Sequence, residues 1–428
     1  MDFDYLCMSI HLRMIKKTLF ILFFLTCHII SFSQTEEVSP PDFIKTITFK
    51  GSTSQAQLPI LRLGEPFSLE FDALTGNEED FYYKIEYFDF DWKPSQLVKG
   101  EYLKGIDNVR IINYLNSLNT YQMYSHYDLR IPNQQTRGLL KSGNYMITIY
   151  DDYDEVMFSR KFMIVEDVIT VGVQAKRTRN FETINEKQIV NIKINSGSTN
   201  LNNPLETIKT LIIQNNNLNT AISDLKPQYT IGRELIYRYD DEASFWAGNE
   251  YLNFETKNVR TASLGIQFID LKDLYHSYLF KQISRKNRPY TWNPDINGNF
   301  LVNVIDVDNI DIQADYTLVH FTLKENEFVD KDVYVYGNFN NFTIEDMTRM
   351  FYNRESGNYE CILKLKQGFY NYKFVTVDLD GNLDEGAISG NFWQTENNYK
   401  VLVYYRDLGA RFDRLIGFGE TNSERIRN

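Results

Sequence analysis

Cysteine is nearly absent from this chain, three in 428 residues. Cys7 and Cys27 fall in the N-terminal leader, so Cys361 stands alone beyond it and no disulfide can close there. Stability must come from packed cores instead. Histidine is scarce too, five in all, and only His126, His276 and His320 lie beyond the leader, none at the spacing of a paired metal site. His320 alternates with apolar neighbours as an ordinary strand residue does. Nucleophile elbows and phosphate-cradling glycine loops are missing, so the sequence predicts neither an enzyme nor a cofactor. After residue 30 no apolar run approaches the ~20 residues a transmembrane helix needs, so direct membrane insertion is not expected. Positive charge is in deficit, 45 Lys and Arg against 57 Asp and Glu for a formal charge of −12. Such an acidic surface argues against nucleic acid or anionic lipid as the main partner.

What is present begins with the leader. Lys16 and Lys17 precede an apolar run over residues 19–30, which stops at Ser31-Phe32-Ser33-Gln34. A basic start, a short apolar stretch and small residues at its exit make a secretory signal peptide. Cleavage is expected between Ser33 and Gln34, with Met14 as the natural start and residues 1–13 as an extension. Cys27 offers a lipoprotein alternative, but Phe24-Leu25-Thr26 stands before it where small residues are wanted. Losing residues 1–33 removes three cations (Arg13, Lys16, Lys17) and two anions (Asp2, Asp4), so −12 becomes −13.

Period-2 alternation dominates the remainder, as in residues 67–73, 190–194, 317–323 and 370–374, and no comparable segment keeps a helical period. Aromatic residues make up 15% of the chain and favour half-buried pleated surfaces. The expected fold is all-β, a series of consecutive immunoglobulin-like β-sandwiches after the signal peptide. Grouping strands between irregular stretches gives an N-terminal sandwich over 38–166, a middle β domain over 167–307, a third sandwich over 308–405 and a tail over 406–428. In the first, Trp92 is expected to end a core strand, residues 145–150 and 156–164 to form a hairpin with its turn at 151–154, and Gly143-Asn144-Tyr145 to form a tyrosine corner.

The third block carries Gly337-Asn338-Phe339-Asn340-Asn341-Phe342 and then Gly368-Phe369-Tyr370-Asn371-Tyr372-Lys373-Phe374. It resembles the early-set immunoglobulin-like modules related to glycogen-binding domains. There Gly337 permits a close approach, Phe339 enters the core and the alternate tyrosines fill a sheet. The resemblance implies a sugar platform at Phe342 and a ligand at Lys373, but the family's stacking tryptophan is replaced by Phe342 and a second platform by Asn382. Both residues are therefore expected to be structural, with carbohydrate binding as the alternative. Asp378, Asp380, Asn382, Asp384 and Glu385 alternate around Gly381 and invite a calcium reading. Leu383 and Ser389 stand where an EF-hand needs glycine and glutamate, which favours a solvated hairpin turn.

Over nearly the whole length the chain resembles the plug proteins of the type IX secretion system of Bacteroidota. The resemblance rests on residues 81–92, 124–132, 143–151, 295–300, 314–323, the Gly337 motif, Tyr404-Tyr405-Arg406 and 413–417. It implies a periplasmic protein, peripherally associated with the outer membrane, whose partner is the translocon barrel. Its role would be to close the periplasmic opening of that barrel when no substrate passes. Arginine and aromatic anchors carry a large share of interface energy, which makes Arg285, Arg288, Trp292, Arg411, Phe412 and Arg414 the candidate contacts. Removal of the tail is expected to release the protein from the barrel while leaving it folded.

Overall fold

The computed structural model describes residues 35–51, 58–424 and 426, so Ser31, Ser33, Gln34 and Cys27 lie outside the described residues. Strand accounts for 47% of the chain and helix for 6%, as the alternation predicts. No helix among the described residues is long and apolar enough to cross a membrane.

The first unit packs two sheets face to face. One runs Ile44–Lys50, Phe67–Ala73, Ser125–Ile131, Tyr114–Asn116, and the other Ile60–Arg62, Val156–Val165, Gly143–Tyr150, Tyr82–Phe88, Val109–Arg110. Successive strand side chains point to opposite faces, so Phe67, Leu69, Phe71 and Ala73 enter the core with Tyr83, Ile85, Ile147 and Phe158. Glu70 and Asp72 take the outer face, yet both are buried. A strand that reads half-exposed is covered on both sides because another unit lies on it.

The expected hairpin forms between Gly143–Tyr150 and Val156–Val165. In its turn Asp151 Oδ1 accepts the Tyr153 and Glu155 amides at 2.9 and 2.8 Å, and Asp154 takes a left-handed conformation. The expected tyrosine corner forms as well, Tyr145 donating its hydroxyl to the Lys141 carbonyl at 2.8 Å. Tyr370 does the same to Lys366 at 2.6 Å in the third unit. Lys141-Ser-Gly-Asn-Tyr145 and Lys366-Gln-Gly-Phe-Tyr370 are thus one device used twice. In both copies the glycine is required, because a Cβ at Gly143 would strike Tyr87 and one at Gly368 would strike the Leu301 carbonyl. Trp92 is a correction. Its strand ends at Phe88, and the indole sits in the following turn at φ 56°, buried between the first two units.

The strands of the other two units depart from the expected boundaries. One sheet of the second unit consists of Thr170–Arg177, Lys187–Asn195, Glu234–Tyr237 and Tyr229–Ile231, with Ser244–Trp246 beside Lys187–Asn195. The facing sheet runs Asn217–Ser223, Ile208–Gln214, Asn398–Tyr405, Arg414–Asn422. Its first two strands join through Asn215-Asn216, both left-handed, as a two-residue hairpin requires. The third unit is therefore inserted within the second. Its sheet runs Leu252–Glu255, Gly368–Asp378, Lys331–Tyr336, Arg349–Asn353, Asn358–Lys366, Tyr316–Lys324, Tyr275–Leu279, Ile266–Leu271. Phe254, Ile266, Leu279 and Phe300, assigned by sequence to the middle block, fill the same core as Val319, Val335 and Phe374.

The division at 307/308 is thus incorrect, and so is the tail at 406–428. Arg414–Asn422 is a sheet strand whose Leu415 and Ile416 are buried, paired along its length with Asn398–Tyr405. Gly417 and Gly419 let it approach Thr170–Arg177, where a Cβ would meet Ile169 and Val171. The same segment welds the second unit to the first. Tyr404, Leu402 and Leu415 pack with Phe88, Trp92, Met146 and Met163. Arg406 pairs with Asp89 at 2.7 Å and with the buried Asp413 at 2.9 Å, while the Tyr404 hydroxyl meets Asn144 at 2.6 Å.

Candidate functional site

The contact between the first and third units is polar and fully buried at its centre. Asp72, 0% exposed, faces Lys366, 1% exposed, with Nζ 2.7 Å from Oδ2. The same carboxylate accepts the Tyr316 hydroxyl at 2.6 Å, and its other oxygen meets His126 Nδ1 at 2.7 Å. Lys366 completes its sphere on the Asp311 carbonyl at 2.7 Å and the Tyr124 ring at 4.3 Å. Burial alone would raise the Asp72 pKa, but Lys366 and His126 outweigh it and hold the carboxyl below its ordinary value. Around this centre, Asp315 receives the Tyr121 and Gln122 amides at 2.7 and 3.1 Å, and Leu118 N–H donates to the Ile312 carbonyl at 2.9 Å.

Between the second and third units lies a cleft of about 760 Å³. One wall carries Trp246, half-exposed with Lys187 Nζ 4.5 Å over its ring, and Gln214, Asn215, Asn217 and Asn219. The other carries Lys286, Asn287, Asp384, Glu385 and Asn391. Asn217 donates to the Tyr336 hydroxyl at 2.9 Å and Asn219 to the Phe342 carbonyl at 2.9 Å, closing the cleft floor.

Close to the base of this junction, three carboxyls share poorly hydrated surroundings. Burial is the leading cause that pushes Glu250 up to about 7, and Asp295 and Glu396 are raised as well. Glu250 receives the Tyr290 hydroxyl and the Glu396 amide, and Asp295 receives the Tyr251 amide at 2.5 Å. A carboxyl whose folded pKa lies above its unfolded value, 4.5 for Glu250, binds protons more tightly when folded. The unfolded state then gains as protons leave, so stability falls from about pH 4.5 to about pH 7. Glu250→Gln is expected to flatten the urea midpoint across that window. A wild-type midpoint that rises steadily over the same range, unchanged in the variant, would exclude the carboxyl cluster as its cause.

Residues 44–166 match the family model of the type 9 secretion system plug protein, first domain. The chain belongs to the type IX secretion system plug family. A crystal structure of a hypothetical protein from Parabacteroides merdae is 30% identical, with a TM-score of 0.87 over 91% of this chain and 100% of that one. Trypsin-activated alpha-2-macroglobulin from Escherichia coli also matches, at 9% identity and a TM-score of 0.18 over 91% of this chain and 25% of that one, and carries no argument about fold. No curated protein matches.

In this plug-family chain the predicted contact residues separate into two groups. Arg288 and Trp292 are exposed. Arg285 is turned inward, donating to the Glu250 carbonyl at 2.8 Å. Arg414 clamps Glu166 through two bonds of 2.8 Å, Arg411 pairs with Glu101, and Phe412 packs on the first unit's core. These four have partners within the chain, and for Arg411, Phe412 and Arg414 the reason is that the segment expected to be a free tail is a strand and its approach.

The carbohydrate alternative fails at the residues chosen for it. Phe342 is 2% exposed, packed with Tyr251, Tyr336 and Val375, and Lys373 is buried against Glu385 with Tyr251 4.6 Å beneath its ammonium. At the calcium motif Asp378 Oδ1 accepts the Asp380 and Asn382 amides at 3.0 and 2.8 Å, so its lone pairs serve the turn. Histidine spacing misled in the opposite direction. Parallel pairing of Tyr275–Leu279 with Tyr316–Lys324 brings His276 Nδ1 to 2.8 Å from His320 Nε2, with Tyr278 stacked on His320. Burial first, then His276, lowers the His320 pKa to about 4. The sequence reading also missed the Asp72–Lys366 centre and the cleft. For the former, the available signal was a charged residue inside an aromatic strand, Phe71-Asp72-Ala73.

Proposed function

We propose that this chain closes the periplasmic opening of the type IX outer-membrane translocon barrel when no substrate passes, without catalysis. Beyond family membership, the observation that carries the reading is mechanical. A stopper must resist bending, and the three units touch pairwise: the first and second through the Trp92 cluster, the first and third through Asp72 and Lys366, the second and third across the cleft floor. The chain also acts in the periplasm, held to the outer membrane only through the barrel. Docking then falls to exposed anchors, Arg288 and Trp292 foremost, since a desolvated arginine or tryptophan is worth about 2 kcal/mol or more at an interface.

The test is co-purification of the tagged protein from outer-membrane extracts. Wild type is expected to bring down the substrate-free barrel, and its deletion to make the outer membrane leaky without stopping export. The Arg288→Glu, Trp292→Ala double variant should lose at least tenfold in recovered barrel while its circular dichroism is unchanged. Equal recovery by this variant would move the contact elsewhere on the plug; no barrel with the wild type would refute the function.

A further inference from the structure

We propose that Glu70, His126 and Asp311 form a binding site for one divalent transition-metal ion of the zinc class, bridging the first and third units. Their donor atoms all lie within 4.8 Å of one another, Glu70 and His126 from neighbouring strands of the first unit and Asp311 from the segment that leads into Tyr316–Lys324. Zinc at 2.0–2.2 Å from each donor would set them roughly 3.3 Å apart, so rotamer adjustments of about 1 Å suffice.

Two further features point to a ligand. The His126 ring is held as metal-bound imidazoles often are: Nδ1 meets the fully buried Asp72 at 2.7 Å, which leaves Nε2, 3.8 Å from Glu70 Oε2, as the nitrogen for an ion. The His126 side chain is 10% exposed, and among the described residues Nε2 makes no hydrogen bond, its nearest carboxylate oxygen being on Glu70 at 3.8 Å. The Asp311 carboxylate likewise accepts no hydrogen bond from the described residues, although its carbonyl is taken by Lys366 and Tyr124. One histidine and two carboxylates with a position left for water suit zinc better than calcium, which prefers six to eight oxygens.

Lys50 is the competitor. Its Nζ lies 2.5 Å from Glu70 Oε2, and its side chain is 36% exposed, so it can swing into solvent when the ion takes the carboxylate. This competition separates a metal site from an ordinary ion network. Removing Lys50 should weaken a network and strengthen a metal site.

The experiment is isothermal titration of the chelator-treated protein with zinc chloride, with cobalt(II) absorption as a second readout. Wild type is expected to bind one ion per chain, with the visible bands of tetrahedral cobalt. Asp311→Asn, which leaves the carbonyl contacts of that residue in place, should weaken binding at least tenfold. Lys50→Met should tighten it severalfold. Absence of stoichiometric binding by the wild type would overturn the proposal. So would binding that is equal in all three proteins, because the ion would then sit elsewhere on the acidic surface. Neither result bears on barrel closure, which is tested separately by co-purification.

Discussion

Truncation after Tyr405 is expected to abolish cooperative unfolding of the second unit, not to yield a folded protein that has let go of the barrel. The deletion removes the Arg414–Asn422 strand, leaving the Asn398–Tyr405 edge unpaired. It also exposes the faces that Leu415 and Ile416 cover. Full burial of each such aliphatic side chain is worth about 1.5–3 kcal/mol. The cut also strips Arg406 from Asp89 and Arg414 from Glu166, leaving both carboxylates without their cationic partners. Together these losses are on the order of 5 kcal/mol or more, against a total stability of about 5–15 kcal/mol for a typical domain. Urea unfolding followed by tryptophan fluorescence is the check, since Trp92 lies at the affected junction. A truncated protein that keeps the wild-type midpoint and slope would show that the strand is dispensable. Loss of barrel binding by such a truncation says nothing about docking until its folding has been verified.

Lys366→Met is expected to cost about 3–5 kcal/mol, the usual penalty for stranding one member of a buried ion pair. Asp72 would keep Tyr316 and His126 but lose its only lysine, in a setting with 0% exposure. Arg62→Ala is the control. It breaks the Arg62–Asp167 pair, whose side chains are 69% and 47% exposed and screened by solvent, and should cost far less. Because the Asp72 pKa is held below its ordinary value chiefly by Lys366, that part of the stability is present above the unfolded carboxyl range and is lost as pH falls through the lower folded value. Chemical denaturation of the two variants at neutral pH, then of wild type toward acid, measures both effects. Equal, small losses for Lys366→Met and Arg62→Ala would mean that the two units are held together elsewhere.

Much of the local structure was legible, and the reasons differ by feature. The Gly143–Tyr150 and Val156–Val165 hairpin is announced by its own residues, an aspartate-rich turn between two alternating runs that need only each other to pair. The Tyr145 corner is equally local, its bond reaching back four residues. Trp92 was misplaced because an aromatic run continues past the strand end at Phe88 into a turn, and the indole is buried in a cluster to which the second unit contributes Ile213, Leu402, Tyr404 and Leu415. Phe342 and Lys373 were expected to be structural, and they are buried. Arg285, Arg411 and Arg414 have partners within the chain that the sequence did not announce, since arginines next to aromatics read the same whether the surface they anchor belongs to another protein or to another part of this chain.

The sequence by itself determined that the chain is built of strands, which face of each strand is apolar, where the tight turns fall, and that no disulfide can form within the part after Cys27, where Cys361 stands alone. These properties depend on neighbours a few residues away, through period-2 alternation and turn chemistry. Only the tertiary structure decided which sheet each strand joins. Asn398–Tyr405 alternates just as well for the third unit as for the second, and it pairs with Ile208–Gln214 nearly two hundred positions earlier. It also decided that Asp72, Glu70 and His126, on the face of their strands that alternation assigns to water, would be buried against another unit. Alternation records only that a face is apolar or polar. What covers that face is set by contacts between distant segments, whose burial and charge pairing outweigh the preference of any one strand.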